Sequence, residues 1–381
     1  MTKDEEKDLK HLYDQRKIIN SKAFRRLSDK TQVIFSGQRN AQVQSRLTHS
    51  LEVASIAKEI ALNLNSIKKY HLSHECIYNV SLLHDYGMSA LGHLGEQTLQ
   101  SVFLDNTGLV FEANANNLVV IEKNLPDIDL LTIVSTIKYP FLFSSENKEQ
   151  KKGIYHGQFH KYMPLLEEII NKQNQNENVK RTRTYECDIM ELSDDLAYLF
   201  SDLVDAISAY DIKISEETLY QFFQKESLEK NNYFYMFLDI INNKNFDSLE
   251  NLREQMILDV NYNEELNSID FETPIFKKLQ NIIRTIDFEL YIKEFSLVSD
   301  SPLIIDYKNF LEMVIALVKK NPFFVAYDII LSNTYRHAYI KAINNNDIKK
   351  AYKILLITMA EWTDTTVAQK MKMLEDLKLV C

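Results

Sequence analysis

Four side chains in this sequence have the types and setting needed to share one metal ion. They are His49, the adjacent pair His84 and Asp85, and one acid from Asp194 or Asp195, each on or at the end of an apolar stretch with helical spacing. Two imidazoles and two carboxylates form a mixed nitrogen and oxygen donor set. Such a set suits a divalent Mn, Mg, Fe, Co or Zn and leaves positions open for water and a phosphate oxygen. Asp194, Tyr198 and Asp202 recur every fourth residue. Successive members therefore turn by only about 40° around a helix and line one face. Around them stand Ile189, Met190, Leu192, Leu196, Leu199, Phe200, Leu203 and Val204, which make the helix apolar on most sides. That pattern predicts a buried helix, and acids on a buried helix need a cation or donors. Asp195 and Asp205 fit a solvated face equally well.

Just past the His84–Asp85 pair, His93 and Glu96 stand three residues apart. One helical turn lets the carboxylate orient the imidazole and raise its basicity, which is the make-up of a general acid/base dyad; a capping or ion-pair role fits the same spacing. The intervening stretch LLHDYGMSALGHLGE holds three of the seven glycines, Gly87, Gly92 and Gly95. A chain so sparing with glycine uses it where the backbone turns tightly or approaches a ligand. Arg46 precedes His49 by one turn, and Lys138 stands before Tyr139 and Pro140. These are the two cations best placed to meet an anionic substrate in the same pocket.

The elements that must position these residues follow from composition and periodicity. With 381 residues, 7 glycines and 6 prolines, the chain disfavours a turn-rich β sandwich or barrel and favours long helices. Helical spacing runs through residues 45–64, 74–84 and 185–210, which carry the candidate metal donors. We expect an all-α fold, with residues 1–210 as a catalytic core and 211–381 as a helical region packed on it. Within the latter, PLIIDYKNFLEMVIALVKK and PFFVAYDIILS are apolar enough for an occasional strand. Three widely spaced cysteines, Cys76, Cys187 and Cys381, indicate a reduced chain without a disulfide framework. No signal peptide or membrane-length apolar run is visible, so the expected location is the cytoplasm, with no membrane partner. The net charge of −10 argues against broad nucleic-acid binding while allowing a local basic pocket.

In order along the chain, FRRLSDKTQV (24–33), SRLTHSLEVA (45–54), LLHDYGMSALGHLGE (82–96), FEANANNL (111–118), IKYP (137–140) and LSDDLAYLFSDLVDAI (192–207) resemble the deoxynucleoside triphosphate triphosphohydrolases of the HD superfamily, typified by bacterial dGTP triphosphohydrolase. EWTDTTVAQKMKML (361–374) adds a weaker match. The resemblance implies an all-helical HD fold with a divalent metal on His49, His84, Asp85 and Asp194. It selects Asp194 over Asp195 because the family ligand stands four residues before the tyrosine matched by Tyr198. It further implies that His93 and Glu96 are catalytic, and that Gln32, Arg46, Asn114, Lys138, Tyr198 and Asp202 hold sugar and triphosphate. Implied too are cleavage of a dNTP to deoxynucleoside and intact triphosphate, assembly as a homo-oligomer, and control by a regulatory nucleotide.

The match has departures. Where the family loop commonly reads HDIGHPPFGH, this chain reads HDYGMSALGH, so Met88 replaces a second histidine and Ser89 and Ala90 replace paired prolines. Methionine donates neither a proton nor a strong hydrogen bond. Trp362 also stands where smaller residues are usual. Two other functions suit the same residues: an HD phosphohydrolase acting on another nucleotide or a phosphodiester, and a non-catalytic nucleotide sensor.

Overall fold

The computed structural model describes residues 3–31, 44–68, 72–143, 152–173, 181–210, 213–263, 268–271, 274–287, 289, 301–323, 330–331 and 333–378. The expected all-α fold is the one observed. In chain order the helices are α1 (Lys3–Asn20), α2 (Lys22–Arg26), α3 (Arg46–Lys68), α4 (His74–Leu83), α5 (Gly92–Thr107), α6 (Ala113–Asn124), α7 (Leu130–Ser135), α8 (His156–Gln173) and α9 (Tyr185–Tyr210). They continue as α10 (Glu216–Lys225), α11 (Asn232–Asn243), α12 (Phe246–Leu258) and α13 (Pro274–Asp287). The last four are α14 (Pro302–Lys320), α15 (Asn333–Asn344), α16 (Ile348–Ala360) and α17 (Asp364–Lys378).

One small addition to the expected class lies between α12 and α13. Here β1 (Val260–Asn263) pairs antiparallel with β2 (Ser268–Phe271), in the register Val260↔Phe271 to Asn263↔Ser268. By contrast, PLIIDYKNFLEMVIALVKK is wholly helical. Pro302 opens α14, where a missing N–H costs nothing, and Ile304, Tyr307, Leu311, Val314 and Val318 are buried at steps of three and four. That 3.6-residue period overrides the strand preference of its β-branched residues. Most of PFFVAYDIILS falls outside the described residues.

Three apolar clusters frame the site. The first joins α3 and α9 to α10–α13 through residues such as Ile56, Ile60, Phe200, Phe223 and Ile282. Ala57, Ala61 and Ala197 lie within it and let the α3 and α9 backbones approach closely. A second unites the 88–91 loop and α5 with α14–α17, through Leu91, Phe103, Leu311, Leu355 and Val367. The third packs α1, α2, α6, α7 and α8 around Leu82, Leu83 and Tyr86. Two of these clusters therefore reach across residue 210. The site lies where α3, α4 and α9 meet, and each brings its donor from a helix fixed by buried apolar neighbours.

Local capping sets where these helices start. Ser73 accepts from Cys76 N at 3.3 Å to begin α4, and Asp129 accepts from Leu131 N at 2.9 Å to begin α7. Gly108, at φ 68°, closes α5 in the left-handed region, with its N–H on Leu104 O. Among the described residues no helix is long and apolar enough to cross a membrane.

Candidate active site

His49 projects from the first turn of α3, and His84 and Asp85 follow the end of α4. Donor atoms of these three lie within 4.8 Å of one another. Asp194 of α9 joins them: its Oδ1 is 2.9 Å from His49 Nε2 and 3.4 Å from His84 Nε2. All four residues proposed as metal donors therefore converge, whereas Asp195 is 65% exposed beside Arg284. Of the two acids, α9 brings Asp194 up to His49 and His84.

A divalent ion fits the donor chemistry. His84 Nδ1 lies 2.7 Å from the carbonyl oxygen of Ser81, which only accepts, so in the neutral ring Nδ1 carries the hydrogen. That leaves the Nε2 lone pair aimed at the acids, and this buried atom has no hydrogen-bond partner among the described residues. An orphaned buried nitrogen is costly unless something occupies it. His84, Asp85 and Asp194 also form a strongly polarised set. Burial opposes protonation of His84, but Asp85 and Asp194 outweigh it and raise the imidazole above its ordinary value. Burial likewise opposes ionisation of Asp85, yet His84 and Arg46 hold its carboxyl down at about 2. Against the same opposition, Lys138, His84 and His49 keep Asp194 well below the usual carboxylate range.

The two expected cations are engaged with the same acids. Arg46, 1% exposed, pairs through Nη1 with Asp85 Oδ2, while its Nε and Nη2 find no partner among the described residues. Lys138 lies just past α7 and donates from Nζ to Asp194 Oδ2 at 2.7 Å. Each cation therefore neutralises a donor carboxylate. Tyr198 sets its ring edge-on to His49, with centroids 5.1 Å apart.

Arg46, Asp85, Met88, His93, Glu96, Asn114, Lys138, Asp194 and Tyr198 line one cavity of about 680 Å³. His93 and Glu96 sit on the first turn of α5, with Nδ1 to Oε2 at 3.4 Å. His93 is 67% exposed, so its other ring edge is open. Glu96 is anchored by its second oxygen, which accepts from Ala113 N at 3.0 Å. Asn114 is oriented by Glu112, whose Oε1 accepts from Asn114 Nδ2 at 2.6 Å. Gln32 lies outside the described residues, as does the side chain of Asp202 within α9.

The structure adds residues that sequence reasoning did not single out. Glu112 caps α6 by accepting from Ala115 N at 2.6 Å, and burial pushes its carboxyl up. Its position directly before the ANANNL helix was the available signal, although glutamate is not a preferred cap. Lys30 is buried, and burial pushes its ammonium down to about 7. Its Nζ donates to Met88 O, inside the loop that carries the site, and to Ala360 O at 3.3 Å. Nothing in the local sequence marks Lys30, because its partners come from 58 and 330 residues away.

Carboxylates outnumber cations in the cavity wall. Asp85, Glu96, Glu112, Glu191, Asp194 and Asp195 face Arg46, Lys138 and Lys152. A polyanionic ligand would be repelled from such a wall unless further positive charge entered with it, and bound metal supplies that charge.

Residues 46–196 match the HD domain family. The chain is also similar to proteins named deoxyguanosinetriphosphate triphosphohydrolase-like. That of Listeria monocytogenes serovar 1/2a is 31% identical over 243 residues, covering 53% of this chain and 51% of the relative. That of Aliivibrio salmonicida is 32% identical over 236 residues, covering 51% and 52%. That of Rickettsia typhi is 31% identical over 199 residues, covering 51% and 47%. The chain thus spans about half the length of the curated relatives it matches.

Proposed function

We propose that this chain, a member of the HD superfamily similar to dNTP triphosphohydrolase-like proteins, hydrolyses a dNTP to deoxynucleoside and inorganic triphosphate in a metal-dependent reaction. In this reading residues 1–210 are the catalytic core, and 211–381 are the helical region packed on it. The observation that carries the reading is the convergence of His49, His84, Asp85 and Asp194 at the wall of a cavity that also presents His93 and Glu96.

His49, His84, Asp85 and Asp194 would hold the ion, which when bound polarises an α-phosphate oxygen and lowers the pKa of water. The remaining steps belong to the protein. Arg46 brings two unpartnered guanidinium nitrogens beside Asp85, ready to meet phosphate oxygens. Lys138 holds Asp194 and contributes positive charge beside the triphosphate. Glu96 holds one face of His93, leaving the open ring nitrogen to exchange a proton with the attacking water or the departing sugar oxygen. Tyr198, stacked edge-on to His49, would bound the sugar and crowd a ribose 2′-hydroxyl. Gln32, Asn114 and Asp202 complete the proposed substrate contacts.

The test is to incubate the purified protein with each dNTP and with GTP, in Mn and in Mg, and to separate the products. Deoxynucleoside with intact triphosphate is the expected outcome. Monophosphate or pyrophosphate would move the assignment to another phosphohydrolase, in keeping with Met88 at the cavity wall. Tight dNTP binding without turnover would make the protein a nucleotide sensor.

A further inference from the structure

The loop between the metal donors and the dyad is held from the far end of the chain. Leu91 occupies the left-handed region at φ 61°, ψ 31°, immediately before α5, and no side chain caps that helix start. Such a backbone costs an ordinary L-residue roughly 1–2 kcal/mol and persists only where its surroundings enforce it. The loop has no slack: a Cβ on Gly95 would stand 2.1 Å from Ala90 O. Two residues after Leu91 comes His93, so the Leu91 turn sets the direction in which α5 presents the dyad.

What enforces the turn is Asp364, the first residue of α17 and 4% exposed. Its Oδ1 accepts from Leu91 N at 2.8 Å, across 273 residues of sequence. Its Oδ2 accepts from Thr31 N at 3.0 Å and from Thr31 Oγ1 at 2.8 Å. Thr31 follows Lys30, whose Nζ holds Met88 O in the same loop. One carboxylate therefore ties together the strand of chain leading into α3, the loop behind the metal donors and the C-terminal helix.

We propose that Asp364 is a positioning residue for the reaction: its carboxylate fixes the left-handed Leu91 turn and thereby aims His93 and Glu96 at the metal side of the cavity. This deepens the triphosphohydrolase reading and rests on it for the catalytic consequence, though not for the clamp itself. The described hydrogen bonds of Asp364 go to Leu91 and Thr31, behind the metal donors, so metal binding should survive its loss. Asparagine keeps an acceptor oxygen for Leu91 N–H, whereas alanine does not.

The experiment uses the full chain as wild type, Asp364→Ala, Asp364→Asn and Val367→Ala. The last truncates a buried residue of the same helix that packs in the second apolar cluster with Leu91 but makes none of the clamp's hydrogen bonds, so it separates packing from hydrogen bonding. Three quantities are read on each: deuterium uptake by residues 86–96, Mn affinity, and kcat and KM for a dNTP. Asp364→Ala should raise uptake in 86–96 and lower kcat about 30-fold or more, as misplaced reacting groups do. Its KM and Mn affinity should stay within about threefold, and Asp364→Asn should recover most of kcat. Val367→Ala should lose comparable stability yet keep its kcat. Unchanged uptake in Asp364→Ala overturns the clamp. A kcat loss shared by Val367→Ala, or an equal loss in Asp364→Asn, overturns the positioning role. Should wild type turn over no dNTP while binding Mn, the triphosphohydrolase reading fails, and deuterium uptake still decides the clamp. If Asp364→Ala does not fold, Asp364→Asn against Val367→Ala decides the same point.

Discussion

At the scale of single residues, the site is a compact charge arrangement in which each donor acid already has a cation. Asp85 is both a proposed metal donor and the partner of the buried Arg46. Removing acids from a metal site often relieves repulsion and stabilises a metal-free protein. Here the sign is opposite. Asp85→Ala leaves a guanidinium that is 1% exposed with no counter-ion, which should cost about 3 kcal/mol or more in chemical denaturation without metal, and Mn binding should be lost as well. Equal or greater stability of that variant would show that Arg46 finds compensation elsewhere. That His49, His84, Asp85 and Asp194 would converge was legible in the sequence because their types and helical setting are rare in combination. Their counter-ions were only half legible. Arg46 and Lys138 could be picked as cations, but their pairing with Asp85 and Asp194 needs α3, α4, α7 and α9 to be in place.

At the scale of elements, loop geometry and helix starts set the precision of the site. Gly95 carries its reason in the fold, since a Cβ there meets Ala90 O at 2.1 Å, whereas at Gly157 a Cβ meets nothing within 4 Å. Gly95→Ala should therefore destabilise the protein by at least about 2 kcal/mol through forced backbone movement. Gly157→Ala, in the first turn of α8, should be neutral or stabilising by up to about 1 kcal/mol. Thermal melts of the pair check both; a tolerated Gly95→Ala would mean that the 87–95 loop is not as constrained as its geometry indicates. Asp129 gives a pH test away from the site. The His11 imidazole foremost, with Nε2 3.7 Å away, then Lys10 at 2.6 Å hold its carboxyl well below the usual range against partial burial. A depressed folded value adds stability above the unfolded carboxylate pKa of about 4, and that stability is lost as pH falls below it. Asp129→Asn keeps the α7 cap, so it should cost roughly 0.5–1 kcal/mol at neutral pH, with the two proteins converging in acid. A pH-independent difference would assign the loss to the cap instead. The helices bearing the site could be read from period and burial. The β1–β2 hairpin could not, because its strands are four residues each, too short for their alternation to stand out.

At the scale of the whole molecule, the functional residues come from segments far apart in sequence. The second apolar cluster joins the 88–91 loop and α5 to α14–α17, so the C-terminal helices are part of the wall behind the site. Lys30 and Asp364 express the same architecture in polar form; both lie in segments that resemble the family, but their burial and partners could not be read there, since a buried lysine or aspartate looks like any surface charge in sequence. A chain of net charge −10 with an acid-rich cavity must bring its own cation to a polyanion, which makes metal the centre of the proposed chemistry. The most direct test is dGTP turnover by wild type titrated with Mn, with Asp194→Ala alongside. We predict release of intact triphosphate that rises with bound Mn and falls by at least about a thousandfold in the variant. Triphosphate release that persists in Asp194→Ala, or that proceeds equally with all metal chelated, would contradict the account.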